Sequence, residues 1–354
     1  MSWFCCIPIT QQHPVQNWDK WVICRDTIVV MNWLQREKND RALVLKNGAA
    51  GVAVHADRVV WIRFAHEDGK TRMVSHGAVS LPEGAVQGGE IQDRRAVVGA
   101  LRTVRKALGD AVVHLSFPSD NAVPFTMYVP RGVQPDQVQY LVTHEMETRI
   151  RGVSFKDIAV QYEVLSDGDD ESVEIAAIVY PREIELMFCE ACTQAEIIVV
   201  SAEPSISSIA RALHRESGDG LLNAVVDIES EHAHVFVIRE GSPVILARIA
   251  HGGNGNIEEE VAFRLKQWDV RRDAHGVPIT PIGHVRLVGA YAQRPSFACV
   301  GPYVRERAHV SVDNGDVWRR AFSHDDYIPP IDRITSSGYA AAIGAGLKDI
   351  LMHC

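Results

Sequence analysis

The sequence predicts an α/β fold made of two similar halves, and three observations carry that prediction. GVAVHADRVVWIRF from Gly51 and AVVDIESEHAHVFVIREG from Ala224 read as two copies of one β-hairpin. Each copy opens an antiparallel meander that leads into an amphipathic helix and then an apolar strand. The chain has 354 residues, 46% of them hydrophobic, enough for a large core and two domains.

In the first half Val52 and Val54 alternate, a second strand runs from Val59 to Phe64, and a turn at Gly69 leads to a third over 71–79. LPEGAVQGGEIQD (Leu81 to Asp93) ends in an N-cap residue, Asp93, before a helix with Ala96, Val97, Ala100, Leu101, Val104 and Leu108 on one face. AVVHLSFPS from Ala111 and residues 125–130 read as strands, and Pro135 with Asp136 opens a helix to about Ile150. IAVQYEVL (Ile158 to Leu165), the acidic turn SDGDDES and the strand VEIAAIVY follow. A helix from Pro181 to about Gln194, the strand IIVV at 197–200 and a helix from Ser205 to Leu213 complete the half.

The second meander has strands near 223–228, 233–239 and 243–249, then the Gly-rich turn HGGNGN. Asn256 and Glu259 are spaced as a capping box, and Ile257, Val261, Leu265 and Trp268 form the buried face of the helix they start. HVRLVGA (His284 to Ala290) is a strand ending in a small-residue turn, and SGYAAAIGAGLKDIL is a small-residue helix suited to close packing.

Composition narrows the function classes. The formal net charge is −9 without a long basic block, so no nucleic-acid footprint is expected. No apolar run approaches the roughly 20 residues of a membrane span, and the seven scattered cysteines suit a reducing compartment rather than a disulfide framework. A cytoplasmic protein is expected. The first 30 residues, rich in Trp, Gln and Cys, do not fit the rest; either translation natively begins at Met31, or residues 1–44 are a genuine extension.

Isolated chemical motifs carry little. Cys189 and Cys192 form a CxxC on a helix with no second pair, so a packed helix face is expected rather than zinc. His232 and His234 lie two apart on a strand, a spacing that permits a metal but is read as an exposed polar edge. The contiguous SHDD at Ser323 to Asp326 lacks the geometry of a catalytic triad. HGGNGN precedes Glu258, Glu259 and Glu260, which satisfy the helix dipole themselves and repel an anion.

A duplicated meander followed by helix and strand resembles the actin-like ATPase fold. The order and spacing of LPEGAVQGGEIQD, VPRGVQPDQVQYLVTHEME from Val129, IAVQYEVL, the helix and strand from Pro181 to Val200, and the terminal GYAAAIGAGL resemble the PilM-like family. That family serves type IV pilus assembly and competence and is related to FtsA. The resemblance spans about residues 45–354. It implies an α/β, actin-like (ribonuclease H-like) pair of duplicated domains. The first comprises 45–111 plus 181–216, a small α+β insert occupies 112–180, and the second takes 217–354 with its helical subdomain largely deleted.

The resemblance also locates a degenerate nucleotide pocket. Where the family carries an Asp and then a Gly in the first hairpin turn, this chain has Ala53 and His55, with Asp57 just beyond. The lost Asp would help hold hydrated Mg²⁺, and the lost Gly would let backbone amides approach a phosphate. In the second hairpin Asp227 remains, but the Gly position is Glu229, followed by Ser230, Glu231 and His232. A carboxylate facing a phosphate costs roughly 4 kcal/mol at 4 Å and an effective dielectric of 20. Gly252 and Gly253 mark the Gly-rich turn, and the family's Gly-Gly turn near adenosine is reduced to Gly289 and Ala290.

The resulting expectation is a pseudo-ATPase with no catalytic residue, no metal and no cofactor, the alternative being an ATP- and Mg-binding switch. A sugar-kinase-like enzyme would need a catalytic acid with intact phosphate turns, a set missing here. The family implies a PilN-like inner-membrane partner, bound through its cytoplasmic N-terminal peptide in a groove near strands 111–130 and helix 136–150. It further implies contacts with pilus ATPases and a peripheral position at the inner membrane.

Overall fold

A computed structural model describes residues 22–23, 49–67, 70–149, 157–167, 171–214, 221–250, 256–269, 280–322, 327 and 329–351. Its strands are β1 (Val22–Ile23), β2 (Ala49–Val54), β3 (Arg58–Glu67), β4 (Lys70–Ser80), β5 (Val86–Gln87), β6 (Glu90–Ile91), β7 (Val112–Phe117) and β8 (Val123–Pro130). They continue as β9 (Ile158–Asp167), β10 (Ser172–Pro181), β11 (Val199–Pro204), β12 (Leu222–Ile228), β13 (His232–Arg239), β14 (Ser242–Ala250), β15 (Ile282–Val288) and β16 (Ser311–Asn314). The helices are α1 (Arg94–Leu108), α2 (Pro135–Arg149), α3 (Arg182–Gln194), α4 (Ser205–Leu213), α5 (Ile257–Asp269), α6 (Val300–Ala308), α7 (Arg333–Ser336) and α8 (Ala340–Leu351).

Two sheets repeat one topology. The first has strand order β4-β3-β2-β7-β11 and the second β14-β13-β12-β15-β16. In each the meander strands pair antiparallel, while the fourth and fifth strands pair parallel. The duplicated hairpins read from the sequence therefore occupy equivalent places. Their strands are covered on both faces, which suits parallel pairing of near-continuous apolar runs.

The strand Val112–Phe117 stands inside the first sheet, between β2 and β11, rather than in the insert expected to begin at 112. Every residue of VVHLSF is buried, a pattern that fits the sheet interior and not a small surface subdomain. Likewise the expected strand at 197–200 runs from Val199 to Pro204, because its pairing partner is β7 from Val113 to Phe117. The sheet order of the insert is β1-β9-β10-β8, backed by α2 through Val138, Val142 and Met146. Val22 and Ile23, within the N-terminal extension, pair with Tyr162 and Gln161 of β9; Met31 lies outside the described residues.

Helix placement follows local chemistry. The Asp93 side chain accepts from Ala96 N–H at 3.0 Å and caps α1, whose Val97, Leu101, Val104 and Leu108 are buried. At the chain's other end, α8 packs on the first sheet and on α4 at near backbone contact. A Cβ at Gly51 would stand 1.8 Å from the Ala342 carbonyl, and one at Gly344 would stand 1.7 Å from that of Ser208. Small residues at these two crossings let α8 approach the strand and the helix where side chains would hold them apart.

A buried charge cluster fastens the same joint. Glu203, 1% exposed, receives Arg211 at 2.6 and 2.8 Å and Lys348 at 2.7 Å, while Arg211 also donates to the Gly344 carbonyl at 2.8 Å. Burial raises the Glu203 carboxyl, but Arg211 and Lys348 outweigh it and hold the group below the ordinary range. His114 faces Ser201 at 2.8 Å, and Ser201 in turn accepts from Lys348 at 3.3 Å. Burial, with Lys348 second, lowers the His114 imidazole to about 3.

Candidate functional site

The two hairpin turns face each other between the sheets. In the first, His55 N–H donates to the Arg58 carbonyl at 2.8 Å, closing a tight turn at the carboxyl end of β2. In the second, Glu229 N–H donates to the His232 carbonyl at 3.0 Å. Arg58 then reaches across with both terminal guanidinium hydrogens, contacting the Glu229 oxygens at 2.8 and 3.1 Å. Its other amine lies 2.7 Å from Asp57, and His55 Nδ1 sits 3.4 Å from Glu229. The side chains of Arg58 and Glu229 are 11% and 9% exposed, so this bidentate pair operates almost without water.

Electrostatics differ sharply between the two neighbouring acids. Burial raises Glu229, yet Arg58 and then His55 outweigh it and keep the carboxyl ionised below the usual range. For Asp227 the attraction of Arg58 is outweighed. Burial, the Glu229 charge and a hydrogen bond with Glu229 push its carboxyl well above the ordinary range, so it holds a proton.

A third turn is stitched to these two. Gly289 follows β15 with φ at +95°, and a Cβ there would stand 2.3 Å from the Ile228 carbonyl and 2.7 Å from Asp227. Only glycine fits both the backbone angle and the space. Gly289 N–H donates to the Ser337 carbonyl at 3.2 Å, and exposed Ala290 leads to Tyr291, whose hydroxyl donates to Asp57 at 2.8 Å.

Of the residues expected at the pocket, His55, Asp57, Asp227, Glu229 and Gly289 thus converge, whereas Ala53 is buried inside β2 and does not line the space between the turns. Ser230 is half-buried on the second turn. Gly252, Gly253 and Ser323 to Asp326 lie outside the described residues. The space left between the turns is about 30 Å³, lined by His55, Asp120, Asp227, Glu229, His232 and His234 among others. That is room for a water or two, not for a phosphate chain.

His232 and His234 require a correction. They were expected on an exposed polar edge, yet they are 6% and 2% exposed, because β13 is an inner strand of the second sheet with buried faces on both sides. Burial lowers both imidazoles, His234 most strongly, so they are neutral. Cys189 and Cys192 sit on α3 as expected, Cys192 buried against the first core.

Sequence reasoning missed Arg58, Asp120 and Tyr291. Asp120 lies between β7 and β8, on a segment pinned by Ser119, whose hydroxyl accepts from Ile206 N–H at 2.9 Å, and by Asn121, which donates to the Gly88 carbonyl at 3.0 Å. Gly88 and Gly89 both have positive φ and form the two-residue turn joining β5 to β6 beneath it.

Among solved structures, the chain matches one from a PilM–PilN type IV pilus biogenesis complex, with a TM-score of 0.69 over 85% of this chain and 98% of that one. The chain has that fold. Sequence identity is only 13%, so the agreement lies in backbone architecture. With the duplicated sheet topology, it bears out the actin-like α/β class expected from the sequence. A Bacteroides thetaiotaomicron protein described as having an actin-like ATPase fold matches at 7% identity and TM-score 0.45, over 77% of this chain and 93% of its own. The cytoplasmic domain of EpsL, an inner-membrane component of the Vibrio cholerae type II secretion system, matches at 10% identity and TM-score 0.46, over 86% and 94%. No protein-family model and no curated protein matches the chain.

Proposed function

We propose that the chain is a non-catalytic scaffold of a type IV pilus, competence or related secretion machine, holding the cytoplasmic N-terminal peptide of a PilN-like inner-membrane protein. One observation carries the non-catalytic half of this reading. The turns that would cradle phosphates in this fold are locked to each other by Arg58 and Glu229, leaving a cavity of about 30 Å³. A nucleotide would have to break a buried bidentate ion pair and then meet Glu229 and the protonated Asp227.

The partner half rests on the match to a PilM–PilN complex and on the surface of the insert. A groove of about 440 Å³ is lined by Val133, Asp136, Gln137, Tyr140 and Leu141 at the start of α2. Tyr140 is 71% exposed there, an amphipathic ring available to cover apolar peptide side chains. Among the described residues no helix is long and apolar enough to cross a membrane, so a membrane position would come through the partner.

Two titrations test the reading. A labelled PilN-like N-terminal peptide should bind with an affinity that Tyr140→Ala weakens, measured by fluorescence anisotropy; no binding at high micromolar concentration overturns the partner assignment. Calorimetry with ATP and Mg²⁺ should give no heat of binding. A micromolar dissociation constant would establish an ATP-binding switch instead.

A further inference from the structure

We propose that Asp120, His232 and His234 form a binding site for a first-row transition-metal dication of the Zn²⁺ type, which pins the two halves of the molecule together across the cleft. Among the described residues these three bring one ligand atom each to within 4.8 Å of the others. Asp120 follows β7 of the first sheet, whereas both histidines belong to β13 of the second. Being two apart on a strand, the histidines project to the same face, and their ring centroids are 4.4 Å apart.

The donor set is buried and unsatisfied. His234 Nε2 has no hydrogen-bond partner, although buried polar atoms almost always find one, and Asp120 Oδ1 makes no hydrogen bond either, meeting the Arg248 guanidinium as an ion pair at 3.0 Å. The Asp120 side chain is 4% exposed and the His234 residue 2%. His232 Nε2 lies 3.6 Å from Asp120 Oδ1, too far for a hydrogen bond. It is close to the roughly 3.3–3.5 Å separating two ligands of a tetrahedral ion with bonds near 2.0–2.2 Å. The adjoining cavity of about 30 Å³ accommodates the ion's remaining water ligand.

Ligand chemistry selects the ion. Two imidazoles and one carboxylate favour a borderline transition metal, while Ca²⁺ and Mg²⁺ want more oxygen donors than this site holds. Arg248 sets the limit on affinity. Its Nε stands 3.0 Å from Asp120 Oδ1, so metal and guanidinium share one carboxylate, but the Arg248 side chain is 44% exposed and free to turn outward.

The test uses the full chain, stripped with a chelator and dialysed, then titrated with Zn²⁺ by calorimetry and with Co²⁺ by absorption. One equivalent should bind with micromolar or tighter affinity, giving tetrahedral Co²⁺ bands without thiolate charge transfer. His234→Gln and Asp120→Asn should each weaken binding by more than the roughly 10–100-fold that a change beyond the direct ligands produces. Cys299→Ser, at an exposed thiol, should leave it unchanged. Far-UV circular dichroism in chelator checks each variant's fold, and His232→Gln substitutes for any that fails. Absence of binding at millimolar metal, binding retained in the ligand variants, or a thiolate band in the wild-type Co²⁺ spectrum would each overturn the site.

Discussion

Replacing Arg58 by alanine should be among the most destabilising single changes in the cleft, and more damaging than replacing its partner. At 2.8 Å and an effective dielectric of 20, the attraction between Arg58 and Glu229 is roughly 6 kcal/mol before desolvation is counted. Desolvation consumes most of it, so the net worth of the pair is small, while the cost of breaking it one-sidedly is about 3–5 kcal/mol. Arg58→Ala leaves Glu229 buried beside Asp227 with His55 at 3.4 Å in place of a guanidinium. Glu229→Ala, by contrast, leaves Arg58 still paired to Asp57 at 2.7 Å and should cost about half as much. The double variant Arg58→Met with Glu229→Met should return to within about 1–2 kcal/mol of wild type, because both charges leave together. Urea unfolding at neutral pH measures all three, with unchanged slopes showing that stability alone has moved. Equal costs for the two single variants, or costs below about 1 kcal/mol, would refute a desolvated pair and mean that water enters the cleft.

Two further outcomes follow from the joint under α8. His114 has a folded-state value near 3 against 6.5 unfolded, so the unfolded chain binds the extra proton and stability falls as pH drops below about 6.5. Between pH 6.5 and 5 this group alone should remove about 2 kcal/mol, a loss that His114→Asn should not show in unfolding midpoints across that window. Glu203, depressed in the folded state, acts with the same sign below its unfolded value near 4.5, so the variant too should lose stability there, on a slope shallower than wild type's until the pH nears 3. Gly344→Ala puts a methyl 1.7 Å from the Ser208 carbonyl and should lower stability by about 3 kcal/mol or more, read in the same urea experiment; a neutral result would mean that α8 does not sit against α4 as described.

How far the fold and the site could be read from sequence depends on what each strand buries. The Gly51 and Ala224 hairpins were legible because their apolar runs are bounded by turns and repeat in order, and Asp93 was legible because a cap is a local event. The β7 strand was assigned to the wrong sheet, since VVHLSF is apolar wherever it goes and only its parallel partners β2 and β11 fix its place. The helix α6 and strand β16 escaped notice because Gly301 and Pro302 interrupt the helical pattern and SVDN is only four residues long.

The histidines of β13 show the deeper limit. Alternation marks burial only when one face of a sheet meets water, and β13 has none that does. Polar letters on such a strand are then not surface but site. Arg58 makes the same point from the other side: it looks like a charged residue closing a surface turn, yet its partner lies 171 residues away and both are nearly dry. From sequence, Ala53, His55 and Glu229 carry the expectation of a degenerate phosphate site; the structure shows how Glu229 is held. Glu229 is not a stray charge, because Arg58 across the cleft matches it with two hydrogen bonds. A glycine at 229 would leave Arg58 without its main counter-charge in a cavity of about 30 Å³, too small for a phosphate that could supply one, so the cleft could accept such an anion only if both turns changed together.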